Sequence, residues 1–63
     1  MYTIKDCRIK SGLDVNVLAF KMGVSTEGYL DFEEYKEEMS IAQGLKFSSI
    51  TNSPIDKIIF FKN

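Results

Sequence analysis

Apolar residues recur along this chain in short groups at three- and four-residue spacings, separated by glycine, serine, aspartate or proline, and no group sustains the two-residue alternation of a half-buried strand. The pattern predicts an all-α fold: a compact bundle of five short helices over about residues 3–11, 15–22, 25–33, 40–51 and 54–61, in one domain spanning 1–63. Thr3 is placed to cap the first helix, Ile4, Cys7 and the stem of Arg8 face inward, and Gly12 ends it in a left-handed conformation. Asp14 caps the second, where Leu18, Ala19 and Met22 share one face before Gly23 stops it. Ser25 caps the third, with Glu27 near its positive end and Tyr29 and Phe32 toward the core. Acidic residues near a helix C-terminus are unfavourable, so residues 34–39 are read as a loop. Ser40 opens the fourth helix, with Ile41, Leu45 and either Phe47 or Ile50 inward. Asn52-Ser53-Pro54 then starts a last helix. The run Lys57 to Phe61 also fits a short strand, and periodicity does not choose between the two.

Two short helices joined through Gly23-Val24-Ser25 describe a helix-turn-helix, whose second helix can enter a DNA major groove. Such a unit needs a small residue where its helices cross, which Ala19 supplies, and a turn residue free to take positive φ, which Gly23 supplies. Leu18, Met22, Val24, Tyr29 and Phe32 fill the apolar positions that hold the pair to a core. An ordinary helical bundle with the same spacing is the competing explanation.

At these residues the chain resembles the Cro and phage-repressor (XRE-like) family. Ile4-Lys5-Asp6-Cys7-Arg8 is similar to that family's opening helix, Gly12-Leu13 to its first turn, and Leu18-Ala19 with Met22-Gly23-Val24-Ser25 to its core motif. The resemblance implies an ion pair between the first and third helices, with Arg8 and Glu33 at those positions. Ser40-Ile41 and the segment Ile55 to Phe61 resemble the closing helices of small regulators from phages of Gram-positive bacteria.

The departures from that family change the picture. Its DNA-reading members usually begin the second helix with glutamine, where this chain has Val15, and carry polar or basic residues on the outer face of the third. Here that face would hold Thr26, Glu27, Leu30, Asp31 and Glu34. DNA carries one negative charge per ~1.7 Å of duplex axis, so carboxylates facing the groove oppose association before any base is read. The charge along the chain is distributed accordingly. Residues 1–22 balance at +2, residues 23–43 at −5 and the remainder at +2, so a net charge of −1 conceals an acidic middle between basic flanks.

Charge runs usually form solvated faces that aid solubility. The functional reading is a partner-binding face made of Val15, Thr26, Glu27, Leu30, Asp31, Glu34, Glu37 and Glu38. It would engage a DNA-binding or other regulatory protein with a basic surface. Val15, Val17 and Leu30 would give it an apolar centre, the carboxylates a charged rim. The alternative is a Cro-like or repressor-like DNA binder in which Lys5, Lys10, Lys21 and Lys36 hold phosphates while Thr26 and Glu27 touch bases. A third possibility is a dimerisation module built on the aromatic C-terminal segment, which otherwise covers the core. Monomer and homodimer both remain open.

Composition narrows the chemistry. Sixty-three residues leave no room for a large domain with a deep cleft, yet 44% hydrophobic and 27% charged residues suit a folded domain. One cysteine and no histidine exclude an intrachain disulfide and the usual zinc sets, and Cys7 reads as a small buried hydrophobe. The run Glu33 to Glu38 lacks the Asp/Asn and glycine spacing of a calcium loop. No Ser/His/Asp set, Cys/His pair or phosphate-cradling loop is present, so neither an enzyme nor a cofactor is expected. No apolar run reaches a membrane span and no signal peptide is recognised, which sets the expectation at the cytoplasm of a bacterial host.

Overall fold

A computed structural model describes residues 1–62. It contains four α-helices and a short strand pair: β1 (Tyr2–Thr3), α1 (Ile4–Ser11), α2 (Val15–Met22), α3 (Thr26–Glu33), α4 (Ile41–Thr51), a 3-10 turn (Ile55–Lys57) and β2 (Ile58–Ile59). Each α-helix begins at a side chain that satisfies a backbone N–H left free at its first turn. Thr3 accepts from Asp6 N–H, Asp14 from Val17, Ser25 from Gly28 and Ser40 from Gln43. At Thr3 and Ser40 the bond is reciprocated by the Asp6 and Gln43 side chains, completing two capping boxes. Gly12 and Gly23 end α1 and α2 at φ 77° and 75°, a conformation that penalises any residue with a Cβ. Asn52 ends α4 in the same region, at φ 53°.

The core gathers one face from every helix. Ile4 and Cys7 of α1, Leu18, Ala19 and Met22 of α2, Tyr29 and Phe32 of α3 and Phe47 of α4 are buried together with Met39 and Ile58. Leu13, Val15, Val24, Tyr35, Ile50 and Phe60 pack around them.

Two expectations are overturned. The predicted fifth helix over residues 54–61 is a single 3-10 turn followed by β2, which runs parallel to β1 with Tyr2 opposite Ile58 and Thr3 opposite Ile59. Paired β-branched isoleucines favour extended backbone, and β1 offers ladder partners that one more turn of helix would forgo. The architecture is therefore mostly helical with a strand pair, not an all-α bundle of five helices. The second correction concerns α4, where Ile41 and Leu45 are exposed and Gly44, Phe47 and Thr51 face inward. α4 is apolar on more than one side, and packing turns inward the side that buries the large ring of Phe47.

Tyr35 ties the strand pair to the helices. Its hydroxyl receives the Ile4 N–H at 3.2 Å and donates to the Ile59 carbonyl at 2.7 Å. The residue itself takes φ 59°, a left-handed conformation costly for an aromatic side chain. Among the described residues no helix is long and apolar enough to cross a membrane.

Candidate functional site

The site is built on α2, the turn Gly23-Val24-Ser25 and α3, helices that pack closely on one another. α3 turns Tyr29 and Phe32 into the core, which leaves the spacing 27, 31, 34 on its outer side. Glu27 is exposed in the first turn, where the helix dipole favours a negative charge. Asp31 and Leu30 are half-buried, and Glu34, at the C-cap, is exposed. Glu37 and Glu38 follow in the connection to α4, both exposed. Thr26, half-buried, donates its hydroxyl to Asn16 Oδ1 at 2.9 Å, joining the first turns of α2 and α3.

Val15 does not belong to this face. It packs against the core, because the Asp14 cap fixes where α2 starts and places its first residue over the buried cluster. The apolar contribution from the expected set is therefore exposed Val17 and half-buried Leu30. A larger apolar group lies outside the expected set: Phe20 of α2 is 85% exposed. Its sequence signal is its place outside the Leu18, Ala19, Met22 stripe, which accounts for the buried side of that helix.

The four lysines of the DNA reading are differently disposed. Lys10 lies over the Tyr2 ring, 4.0 Å from its centroid, and Lys36 pairs with Glu34 at 3.2 Å. Lys5 and Lys21 are exposed and form no ion pair among the described residues.

Behind the face, α3 is anchored to α1. The Arg8 Nε donates to Glu33 Oε2 at 2.5 Å, and the Tyr29 hydroxyl donates to the same oxygen at 2.7 Å. Both ionic side chains are largely shielded. The hydrogen bond from Arg8 to Glu33 raises the guanidinium's already high pKa, the carboxylate charge adding to the effect. Burial, followed by the bond to Glu33, pushes the Tyr29 phenol well above its ordinary value.

No family, curated protein or solved structure matches this chain. Among the described residues no three Cys, Asp or Glu side chains converge in a way that could hold a metal ion. The outer side of α3 and its following turn present a row of carboxylates, and Lys36, the cation nearest them in sequence, is tied to Glu34. Such a surface attracts a complementary basic surface and repels a polyphosphate.

Proposed function

We infer that this protein is a small regulator acting by protein contact, in the manner of an antirepressor or an inhibitor of a DNA-binding protein. The pair α2 and α3 is read as a helix-turn-helix scaffold of phage-repressor type whose outer helix serves to bind a basic protein surface. One observation carries the reading: Glu27, Asp31 and Glu34 occupy the outer side of α3 and Lys36, the cation nearest them in sequence, is paired with Glu34. A DNA-reading helix needs donors for base edges and cations for phosphates, and this one offers neither. The Thr26 hydroxyl, a possible base contact, already donates to Asn16.

The competing reading, a repressor-like DNA binder, draws support from the same turn geometry and from exposed Lys5 and Lys21. Fluorescence anisotropy of the labelled chain separates the two. One titration uses duplexes from the neighbourhood of its own gene; the other uses the purified regulators encoded there. The expected result is protein binding that weakens with added salt and is lost in the Glu27→Lys/Asp31→Lys variant. Tight, sequence-selective DNA binding at physiological salt would overturn the proposal.

A further inference from the structure

α3 closes on a residue that most helices with its ending would not use. Tyr35 N–H bonds the Phe32 carbonyl at 3.1 Å and Lys36 N–H the Asp31 carbonyl at 2.9 Å, the paired bonds of a Schellman end. That ending needs a left-handed residue just past the helix, a place ordinarily held by glycine. α1 and α2 meet the demand with Gly12 and Gly23; α3 meets it with an aromatic residue, Tyr35, at φ 59°. A backbone held in so sparsely populated a region persists only where the surrounding structure over-determines it.

What holds Tyr35 comes largely from the C-terminal segment. Its hydroxyl accepts the Ile4 N–H, one of the donors at the start of α1 that has no partner within its helix, and donates to the carbonyl of Ile59, 24 residues later. Lys62 sets its ammonium over the Tyr35 ring, 5.8 Å from the centroid. Four residues after Tyr35, buried Met39 shares a groove wall with Phe60 and Phe61. The connection after α3 is thus seated at both ends on residues 59–62. Glu37 and Glu38 lie between the two seats, and Glu34 stands just before the first.

We propose that residues 58–61 form a clasp that sets the shape of the acidic row. Docked, the clasp keeps Tyr35 left-handed and fixes Glu34, Glu37 and Glu38 in one arrangement; released, it lets Tyr35 relax to negative φ, and the second half of the row loses its shape. The clasp itself is held by few contacts: a two-residue ladder, buried Ile58, the Tyr35 bond, and the Phe60 ring, which lies 3.4 Å from where a Cβ on Gly44 would stand. α3 is anchored separately, with Arg8 and Tyr29 both donating to Glu33, so release leaves Glu27 and Asp31 in place. The coupling exists whether or not a partner binds. On the proposed function it gains a consequence, since partner binding at the row and docking of the clasp then favour one another by the same factor.

Hydrogen exchange of the full chain, followed amide by amide by NMR with no partner present, tests the coupling. Phe60→Ala loosens the clasp from the α4 side, away from the carboxylates, and Phe60→Leu loosens it more gently. The Lys36 amide, whose bond to Asp31 closes the turn, is expected to exchange about tenfold faster in Phe60→Ala, together with Ile4 and the strand-pair amides. Leu18 and Met22 of α2 should change less. Phe60→Leu should give the same pattern at smaller size, and it carries the test if Phe60→Ala does not fold. In a Tyr35→Phe background, which lacks the connecting hydroxyl, either Phe60 substitution should accelerate Lys36 about threefold less than in the parent. The proposal is overturned if Lys36 exchange stays unchanged while the strand pair accelerates. It is equally overturned if Lys36 rises no more than α2 in Phe60→Leu, or if the Tyr35 and Phe60 effects simply add.

Discussion

Glu33 is the acceptor on which two helices converge, receiving hydrogen bonds from Arg8 of α1 and Tyr29 of its own helix. Replacing it with alanine leaves a shielded guanidinium without its partner, and the expected loss is about 3 kcal/mol of unfolding free energy, measurable by urea titration. Glu33→Gln keeps an acceptor for both donors and should lose less. Tyr29 adds a pH dependence. Its pKa in the folded chain lies above the ordinary value, so the folded state holds the phenolic proton more tightly than the unfolded state does. The resulting stabilisation is fully present below about pH 10 and declines as pH rises further and the unfolded chain begins to ionise. Tyr29→Phe should therefore cost about 1–2 kcal/mol near neutrality, for the lost bond to Glu33, and less above pH 10. Parallel denaturation curves of the two chains at pH 7 and above 10 measure the difference; an alkaline limb equally steep in Tyr29→Phe would remove Tyr29 from the account.

At the scale of elements, the boundaries legible in the sequence are those written in single side chains. Thr3, Asp14, Ser25 and Ser40 cap where their chemistry says they should, and Gly12 and Gly23 stop the helices before them. What could not be read locally depends on distant partners. β2 becomes a strand because β1 is beside it, and Tyr35 holds that pair through bonds to Ile4 and Ile59 that no spacing rule reveals. Likewise Val15 and Leu45 exchanged their expected sides once neighbouring elements had chosen which face of each helix to cover. For the candidate face, the carboxylates were visible as a charge run, whereas the exposure of Phe20 required knowing that nothing packs over α2 there. Tyr35→Phe should destabilise the fold by about 1–2 kcal/mol and raise hydrogen exchange at Ile4 and in the strand pair ahead of the helices. The glycines make a second, contrasting test. Gly23→Ala is expected to lose about 1 kcal/mol, because the turn demands positive φ, whereas Gly44→Ala should gain up to about 1 kcal/mol of helix propensity, its new methyl meeting Phe60 at ordinary contact distance. Thermal unfolding of both variants reads the two signs.

For the molecule as a whole, the exposed carboxylates of α3 and of the connection after it set up a local negative field. On the proposed function, association with a basic partner is steered by that field, and its rate should fall about tenfold or more between low and high salt as the Debye length shrinks. Stopped-flow mixing at several salt concentrations measures that fall without any substitution.

The parallel pairing of β1 with β2 joins residues 56 positions apart in the sequence. During synthesis, Tyr2 and Thr3 leave the ribosome long before Ile58 and Ile59 exist, so the four helices are all made while the Ile59 carbonyl that Tyr35 will hold is still unmade. Until Ile58 and Ile59 are made, the helices lack both the strand that pairs with β1 and the carbonyl that Tyr35 holds, so the completed tertiary structure is in effect a signal that translation has passed Ile59.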